Sequence, residues 1–423
     1  NPVRGIIEVQ GSGFRVQGKK FGVMMKLILV CVWMSVMFVI PSFAQEVVVT
    51  KSGGTKTSLD LSAYGASGAG GFIFRQTLTD DLSRCGWFSL TRPASYTVTG
   101  SCHDNNGSLS ADCQLMNVLK STVALNKTYT DTPANARRLA HRVADDIIMA
   151  TKGFRGICSG RIAMVGTASG NKELYLCDAD GGNIRQLTRD RSISLSPHWS
   201  PDGSRIVYTS FLKGYADIFM INTQSGSRSA VARYPGINMA GAISPGGGEM
   251  LMVLSRDGNP EVYSKSFGSE QLTRLTRTPR AGEASPTWSP DGSQIAYVSD
   301  LAGAGSPQLY VMDRSGTSRR LTSRGKENVD PDWGANNLIA YSSRRGGLYG
   351  IYIINPSSMD ERLISPADGN YKDPAWASDG RHLVCCKQEG NNSRLYLLDT
   401  MGDAPVCLTP NGGNWFSPAW CSK

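Results

Sequence analysis

An acyl-transfer enzyme would carry its serine on a tight G-x-S-x-G turn. The nearest strings, GTASG at 166–170 and GASGA at 65–69, both miss that spacing. GASGAGG at 65–71 opens a helical pattern, but it has neither G-x-G-x-x-G nor Walker spacing and reads as a loop rather than a phosphate cradle. DADGGN at 178–183 has the look of a calcium loop. Equivalent stretches further on read DRSG and DTMGD, which makes it a turn between a third and a fourth strand. The four histidines, His103, His141, His198 and His382, are scattered and read as structural. Asp80-Asp81 and Asp145-Asp146 read as solvated helix faces rather than an acid/base pair. With no C-x-x-C and no paired histidines, neither a metal nor another cofactor is expected, and no catalytic residue is assigned.

One phrase does concentrate Trp, Ser, Asp and a histidine: SPHWSPDGSRIVYTS at 196–210. Its fate is decided by repetition, since it returns as SPTWSPDGSQIAYVS at 285–299 and DPAWASDGRHLV at 373–384. Equivalent residues fall at Trp199, Ile243, Trp288, Trp333, Trp376 and Trp420, at spacings of 44, 45, 45, 43 and 44. A second register runs through Tyr175, Phe219, Tyr263, Tyr310, Tyr352 and Tyr396. A third runs through Leu187, Val231, Leu275, Leu321, Leu363 and Leu408, mostly inside R-x-L-T phrases. Each repeat thus offers four strand-length runs separated by turn signals. Pro-Asp-Gly is the hairpin between the first two: proline presets the turn and glycine takes the left-handed conformation that closes it.

A sheet of about 44 residues cannot bury both faces alone. Copies must stack, and four-stranded units stacked radially make a β-propeller. The fold class expected is therefore mainly β, a six-bladed β-propeller of four-stranded blades preceded by a small α/β domain. The chain enters the ring at RIAMVG (161–166), a second-strand phrase, and ends on FSPAWCSK (416–423), a first-strand phrase. One blade should combine the C-terminal strand with three strands from 161–190, which closes the ring and removes an exposed edge. AISPGGGEM in the second repeat and the shorter DWGANNLIAY in the fourth keep turn-competent residues.

Residues 45–152 lack the repeat. Phe74, Leu78, Leu82 and Cys85 fall at helical spacing before Gly86, a C-terminal cap. A second helix follows Thr132-Pro133, with Ala136, Leu139, Ala140, Val143 and Ile147 on one face up to Gly153. Between them, alternation around Asn105-Asn106-Gly107 predicts a hairpin that pairs Cys102 with about residue 111 and leaves Cys113 a diagonal neighbour. Residues 153–160 read as a linker and 161–423 as the propeller.

Residues 24–44, MMKLILVCVWMSVMFVIPSFA, have the lysine, apolar centre and small-x-small ending of a secretory signal peptide, with cleavage between Ala44 and Gln45. The apolar run from Leu27 stops at Pro41, too short for a spanning helix. Residues 1–23 read as upstream sequence. Removing 1–44 takes away five basic residues and one acidic residue and leaves a net charge of +5. No basic run alternates with aromatics as a nucleic-acid groove requires. Nine cysteines remain, an odd number in a compartment where disulfides persist.

Six repeats patterned on P-x-W-S-P-D-G, two of them verbatim, behind a signal peptide and an α/β domain resemble the TolB family, periplasmic propellers of the Tol-Pal system. EVVVTKSG at the mature start, DDLSRCGWFSL after the first helix, KGFRGICSGRIAMVG across the domain junction and SPAW at the C-terminus share the likeness. The resemblance implies a monomeric, non-enzymatic periplasmic adaptor with no small-molecule substrate and no nucleic-acid partner, supporting outer-membrane integrity and constriction during cell division. It implies that propeller loops bind a Pal-like peptidoglycan-associated lipoprotein, at positions corresponding here to Ser196, Asn238, Ala240, Ser285, Asp330, Asp373 and Ser417. It also implies that a mature N-terminal stub, Gln45, Glu46, Val47, Val48, Val49, Thr50 and Lys51, engages a TolA-like inner-membrane protein. The rival reading is a secreted propeller enzyme, a hydrolase or sugar-processing enzyme, with its site at the channel mouth.

Overall fold

The computed structural model describes residues 56–105 and 107–421. β1 (Thr57–Asp60), β2 (Gly65–Ser67), α1 (Gly68–Arg84), β3 (Phe88–Leu90), β4 (Tyr96–Asn105), β5 (Ser108–Asn117), β6 (Thr122–Asp131) and α2 (Ala136–Lys152) form the first domain. Its strands are ordered β3-β1-β4-β5-β6, with β2 beside β4. The apolar faces read from the sequence are the ones buried: Phe74, Leu78 and Leu82 from α1 and Leu139, Val143 and Ile147 from α2 share a core with Val98, Leu109 and Leu115 of the sheet. A 3-10 turn at Pro133–Asn135 precedes α2, and Gly153, at φ 79°, ends it in the left-handed conformation. The Asn-Gly hairpin has the predicted register, with Cys102 opposite Ala111 and Cys113 opposite Gly100. All nine cysteines among the described residues are free thiols.

Six four-stranded antiparallel sheets follow. Blades 1 to 5 span 194–232, 238–274, 283–320, 327–363 and 370–407. Blade 6 takes its first strand, Trp415–Trp420, from the C-terminus and the others, Arg161–Gly166, Glu173–Asp178 and Arg185–Gln186, from the entry of the ring. The expected clasp is therefore present. Trp415 packs edge-on against Tyr175 at 5.1 Å, and Trp420 lies among Ile157, Ile162, Ala375 and Leu395, at the seam between blades 5 and 6.

The recurring residues have separable tasks. In Pro-Asp-Gly, Asp202 accepts from the Ser204 amide at 3.0 Å and from Ser200 Oγ at 2.5 Å, while Gly203 takes φ +70°. Those bonds hold its carboxyl at about 2, so the aspartate is spent on the turn. Two of the recurring tryptophans tie neighbouring blades by hydrogen bond: Trp199 Nε1 donates to the Ala419 carbonyl at 3.0 Å, and Trp288 Nε1 to that of Ala242 at 3.2 Å. The R-x-L-T phrase has a polar purpose. Hydroxyls of Thr188, Thr276, Thr322, Ser365 and Thr409 accept from the third-strand amides of Leu174, Val262, Leu309, Ile351 and Leu395 at 2.9–3.0 Å. An amide at the end of a buried strand would otherwise be unpaired, which is costly. Blade 1 has Ala232 at this position, and its buried Asp217 has Arg233 Nε 3.5 Å away.

The first domain docks on blades 5 and 6. Gly86, at φ +69°, lies so close to Arg381 and Asp399 that a Cβ there would sit 2.5 Å from a guanidinium nitrogen. The sequence marked Gly86 as a helix cap; this close approach is a second reason only glycine fits. Arg381 then stacks its guanidinium over Trp87 at 4.2 Å, and Lys56 pairs with Asp403 at 2.7 Å.

Candidate functional site

Every blade interrupts the ladder of its first strand by a bulge: between Leu195 and His198, Ala284 and Thr287, Val329 and Asp332, Lys372 and Ala375, and Phe416 and Ala419 at the same place, and between Ala240 and Ile243 one residue later in blade 2. Proline is the cause in five blades, because it has no amide to donate to the ladder. The residue before it turns left-handed, with φ of 49° at Ser196, 46° at Ser285, 52° at Asp330, 53° at Asp373 and 42° at Ser417. Blade 2 has Ala240-Gly241 instead, and Ala240 is not left-handed.

Five bulged residues, with Ala240 of blade 2 still paired to Met252, place six side chains around the channel. Ser196, Ala240, Ser285, Asp330, Asp373 and Ser417 line a central cavity of about 740 Å³ that also reaches Ile237, Met239 and Ala284. Strained non-glycine backbone repeated around one opening is a feature that clusters at binding sites. These are six of the seven propeller positions that the sequence singled out. The seventh, Asn238, is fully buried: its amide donates to the carbonyls of Ala216, Tyr234 and Gly236, and its oxygen accepts from the Tyr234 amide. Its polar capacity is used on blade 1 and on the loop between blades 1 and 2, so it holds that loop rather than facing the cavity. The stub from Gln45 to Lys51 and the Ala44–Gln45 junction lie outside the described residues.

The ring is electrostatically uneven. Across blades 3 to 6, Ser285 Oγ donates to Asp330 at 3.3 Å, and Ser417 donates to Asp373 through its amide at 3.1 Å and its hydroxyl at 3.2 Å. Burial, and then the facing Asp373, push Asp330 well above the usual carboxylate range; Ser285 and Lys372 oppose this only in part. Asp330 thus favours its protonated form where blades 4 and 5 face each other. Asp332 is raised by burial to about 6, against the pull of the Trp376 and Trp333 amides. His198, on the same wall, is lowered by burial to about 4 and is a neutral imidazole.

The sign of the Asp330 effect fixes a prediction. A carboxyl whose pKa is raised on folding binds its proton more tightly in the folded chain. That stabilisation is complete below the ordinary value of 3.8 and is lost as pH rises through the folded value. Asp330→Asn keeps a neutral hydrogen-bonding group and removes the loss. Its urea midpoint should exceed that of the parent at pH 8, and the gap should narrow at pH 5. A lower midpoint at both pH values would refute the raised Asp330 carboxyl.

Elsewhere, the paired acids are not solvated faces as the sequence suggested. Asp80 and Asp146 reach the surface, but Asp81 and Asp145 are buried. Asp81 meets His141 Nδ1 at 2.6 Å, and Asp145 accepts the amides of Cys158 and Ser159 at 2.8 and 3.0 Å. Both carboxylates turn inward because the helices are pinned between the sheet and the ring, a tertiary fact with no signature in local spacing. DADGGN is the turn expected, joining the third and fourth strands of blade 6.

Comparison with known proteins agrees with this architecture. The family model described as the TolB beta propeller domain matches residues 150–423. A protein TolB homolog of Chlorobium luteolum is 33% identical over 303 residues, covering 70% of this chain and 67% of its own. A Tol-Pal system protein TolB of Desulfosudis oleivorans is 34% identical over 185 residues, 44% of this chain and 42% of its own. The crystal structure of TolB from Acinetobacter baumannii superposes with a TM-score of 0.77 at 26% identity, covering 88% of this chain and 98% of that one.

Proposed function

The chain belongs to the TolB family, and from that premise we propose that it is a periplasmic adaptor that grips a Pal-like peptidoglycan-associated lipoprotein at the channel mouth and a TolA-like inner-membrane protein through residues 45–51. It is a non-enzymatic component of the Tol-Pal system. The observation that carries the lipoprotein half is the ring itself: six equivalent first-strand positions, one from each blade and five of them bulged, converge on one apolar-rimmed cavity. Their side chains differ from blade to blade while the backbone frame does not, which is the arrangement a partner can read. Ile237, on the loop between blades 1 and 2, and Leu301, on the loop between the second and third strands of blade 3, add exposed apolar surface. Coupling two membranes through one such adaptor supports outer-membrane integrity and constriction during division, the finer role we assign to it.

Pull-down with the purified chain tests both halves. It should retain a Pal-like lipoprotein and a TolA-like protein, and deletion of 45–51 should abolish the second and spare the first. Retention of neither partner would overturn the proposal.

A further inference from the structure

The charges of the propeller are sorted by face. In each antiparallel blade, the loop between the second and third strands and the loop that leads to the next blade emerge on one side, the side of Ile237 and Ala284. Those loops carry ten lysines and arginines against four aspartates. Each aspartate is already engaged: Asp190 by Arg228, Asp257 by Arg256, Asp368 by Lys387 and Asp300 by the Gly282 amide. Lys172, Lys213, Arg277, Arg280 and Lys326 are exposed and have no ion-pair partner among the described residues. Of the carboxylates at the strand ends beneath them, Glu173, Asp217, Glu261 and Glu283 are buried, and Glu327 and Glu389 pair with Arg344 and Arg394. The opposite face is the reverse: its hairpins between first and second strands and its turns between third and fourth strands hold two arginines against seven carboxylates.

Resting on the adaptor reading of the channel mouth, we propose that the lipoprotein partner is acidic on its docking face. An uncharged tip enters the mouth, and carboxylates around that tip meet the loop cations, which steer the encounter. The field of a whole face acts beyond contact distance and raises the association rate of a complementary partner. The chain already uses its acidic face in this way, since Arg137 and Lys56 of the first domain meet Asp180 and Asp403 there. The tip is uncharged because the wall it meets is not basic: Asp330, Asp332 and Asp373 line the cavity below the loops, and burial disfavours charge on the first two. Ile237, Met239 and Ala284 at the rim offer apolar contact instead. The five unpaired cations stand on loops of blades 6, 1, 2 and 3 and so border a concave opening. A flat anionic membrane would span that opening without filling it, so a convex acidic protein is the better match.

Stopped-flow association of the soluble domain of a Pal-like lipoprotein with the full chain tests this. It is measured from about 0.01 M to about 1 M salt, over which the screening length falls from about 30 Å to about 3 Å. The association rate should fall about tenfold or more, while dissociation changes little. Arg277→Glu combined with Arg280→Glu, on one exposed loop, should slow association about tenfold at low salt and flatten its salt dependence. Arg75→Glu combined with Lys120→Glu makes the same charge change at exposed positions of the first domain and should leave the rate unchanged. Intact binding whose rate ignores both salt and the loop reversal overturns the inference and leaves the adaptor reading standing. Equal slowing by the two double variants also overturns it, because net charge and not this face would then act. Absence of binding in the parent overturns the adaptor reading and the inference with it. Vesicles rich in phosphatidylglycerol, at about 0.15 M salt, should not retain the full chain. Retention that the loop reversal abolishes would assign the cations to a membrane and overturn the acidic-protein match.

Discussion

Trp420→Ala should cost about 3–5 kcal/mol of stability, the range for emptying a buried aromatic site. Trp420 is 7% exposed, sits opposite Ile162 in the closing strand and fills the seam shared by Ile157, Ala375 and Leu395. The same truncation at Trp288 empties a comparable volume but leaves its strand joined to its ladder partner by the Pro290-Asp291-Gly292 hairpin. No hairpin joins the Trp420 strand to its partner Arg161–Gly166; that contact rests on pairing and packing, and once loosened it bares the edge of Arg161–Gly166. Urea unfolding should show the loss in both variants, and limited proteolysis should cleave only the Trp420 variant near its closing strand. Equal protease resistance would mean that the clasp is not the weak point of the ring.

Arg381→Ala should be comparably severe, at about 3–5 kcal/mol, because it leaves a buried carboxylate without its partner. Arg381 and Asp399 are each 5% exposed, and Nε lies 3.0 Å from both carboxylate oxygens. Burial alone would raise Asp399, but His382 and Arg381 outweigh it and hold it far below the carboxylate range. His382 is affected in turn: burial opposes its charge, yet Asp379 and Asp399 push it up to about 9. A histidine raised on folding stabilises fully below its ordinary 6.5, and that contribution is lost as pH rises through about 9. The parent should therefore weaken between pH 7 and 10. The pairing Arg381→Met with Asp399→Leu should recover much of the loss, since the charge and its counter-charge leave together. Trp87 loses the Arg381 guanidinium in both cases, so a residual deficit in the double variant reports the domain contact.

The architecture was legible because its signals are local and repeated. Pro-Asp-Gly, the Tyr register and the R-x-L-T phrase each specify a piece of one blade, and the phase of the first and last phrases was enough to place the clasp. The ring of bulge residues was reachable for the same reason: a proline in a first strand marks the residue before it. Asn238 was misplaced because sequence proximity to the bulge says nothing about which side chain turns inward. The interdomain clusters were invisible. Asp81, His141 and Asp178 are brought together by the docking of two domains, and Gly86 gave away its helix cap but not the guanidinium pressed against it. A paired acid on a helix looks solvated until a second body covers it.

The most direct test of the channel mouth is calorimetric titration of the soluble domain of a Pal-like lipoprotein into the full chain and its Ala284→Arg variant. Ala284 is exposed, lines the cavity and adjoins Ser285 on the ring. A bulky cation there should weaken binding by tenfold or more, about 1.4 kcal/mol, with the urea midpoint unchanged. The same dissociation constant in both proteins would contradict the assignment of this face to the lipoprotein.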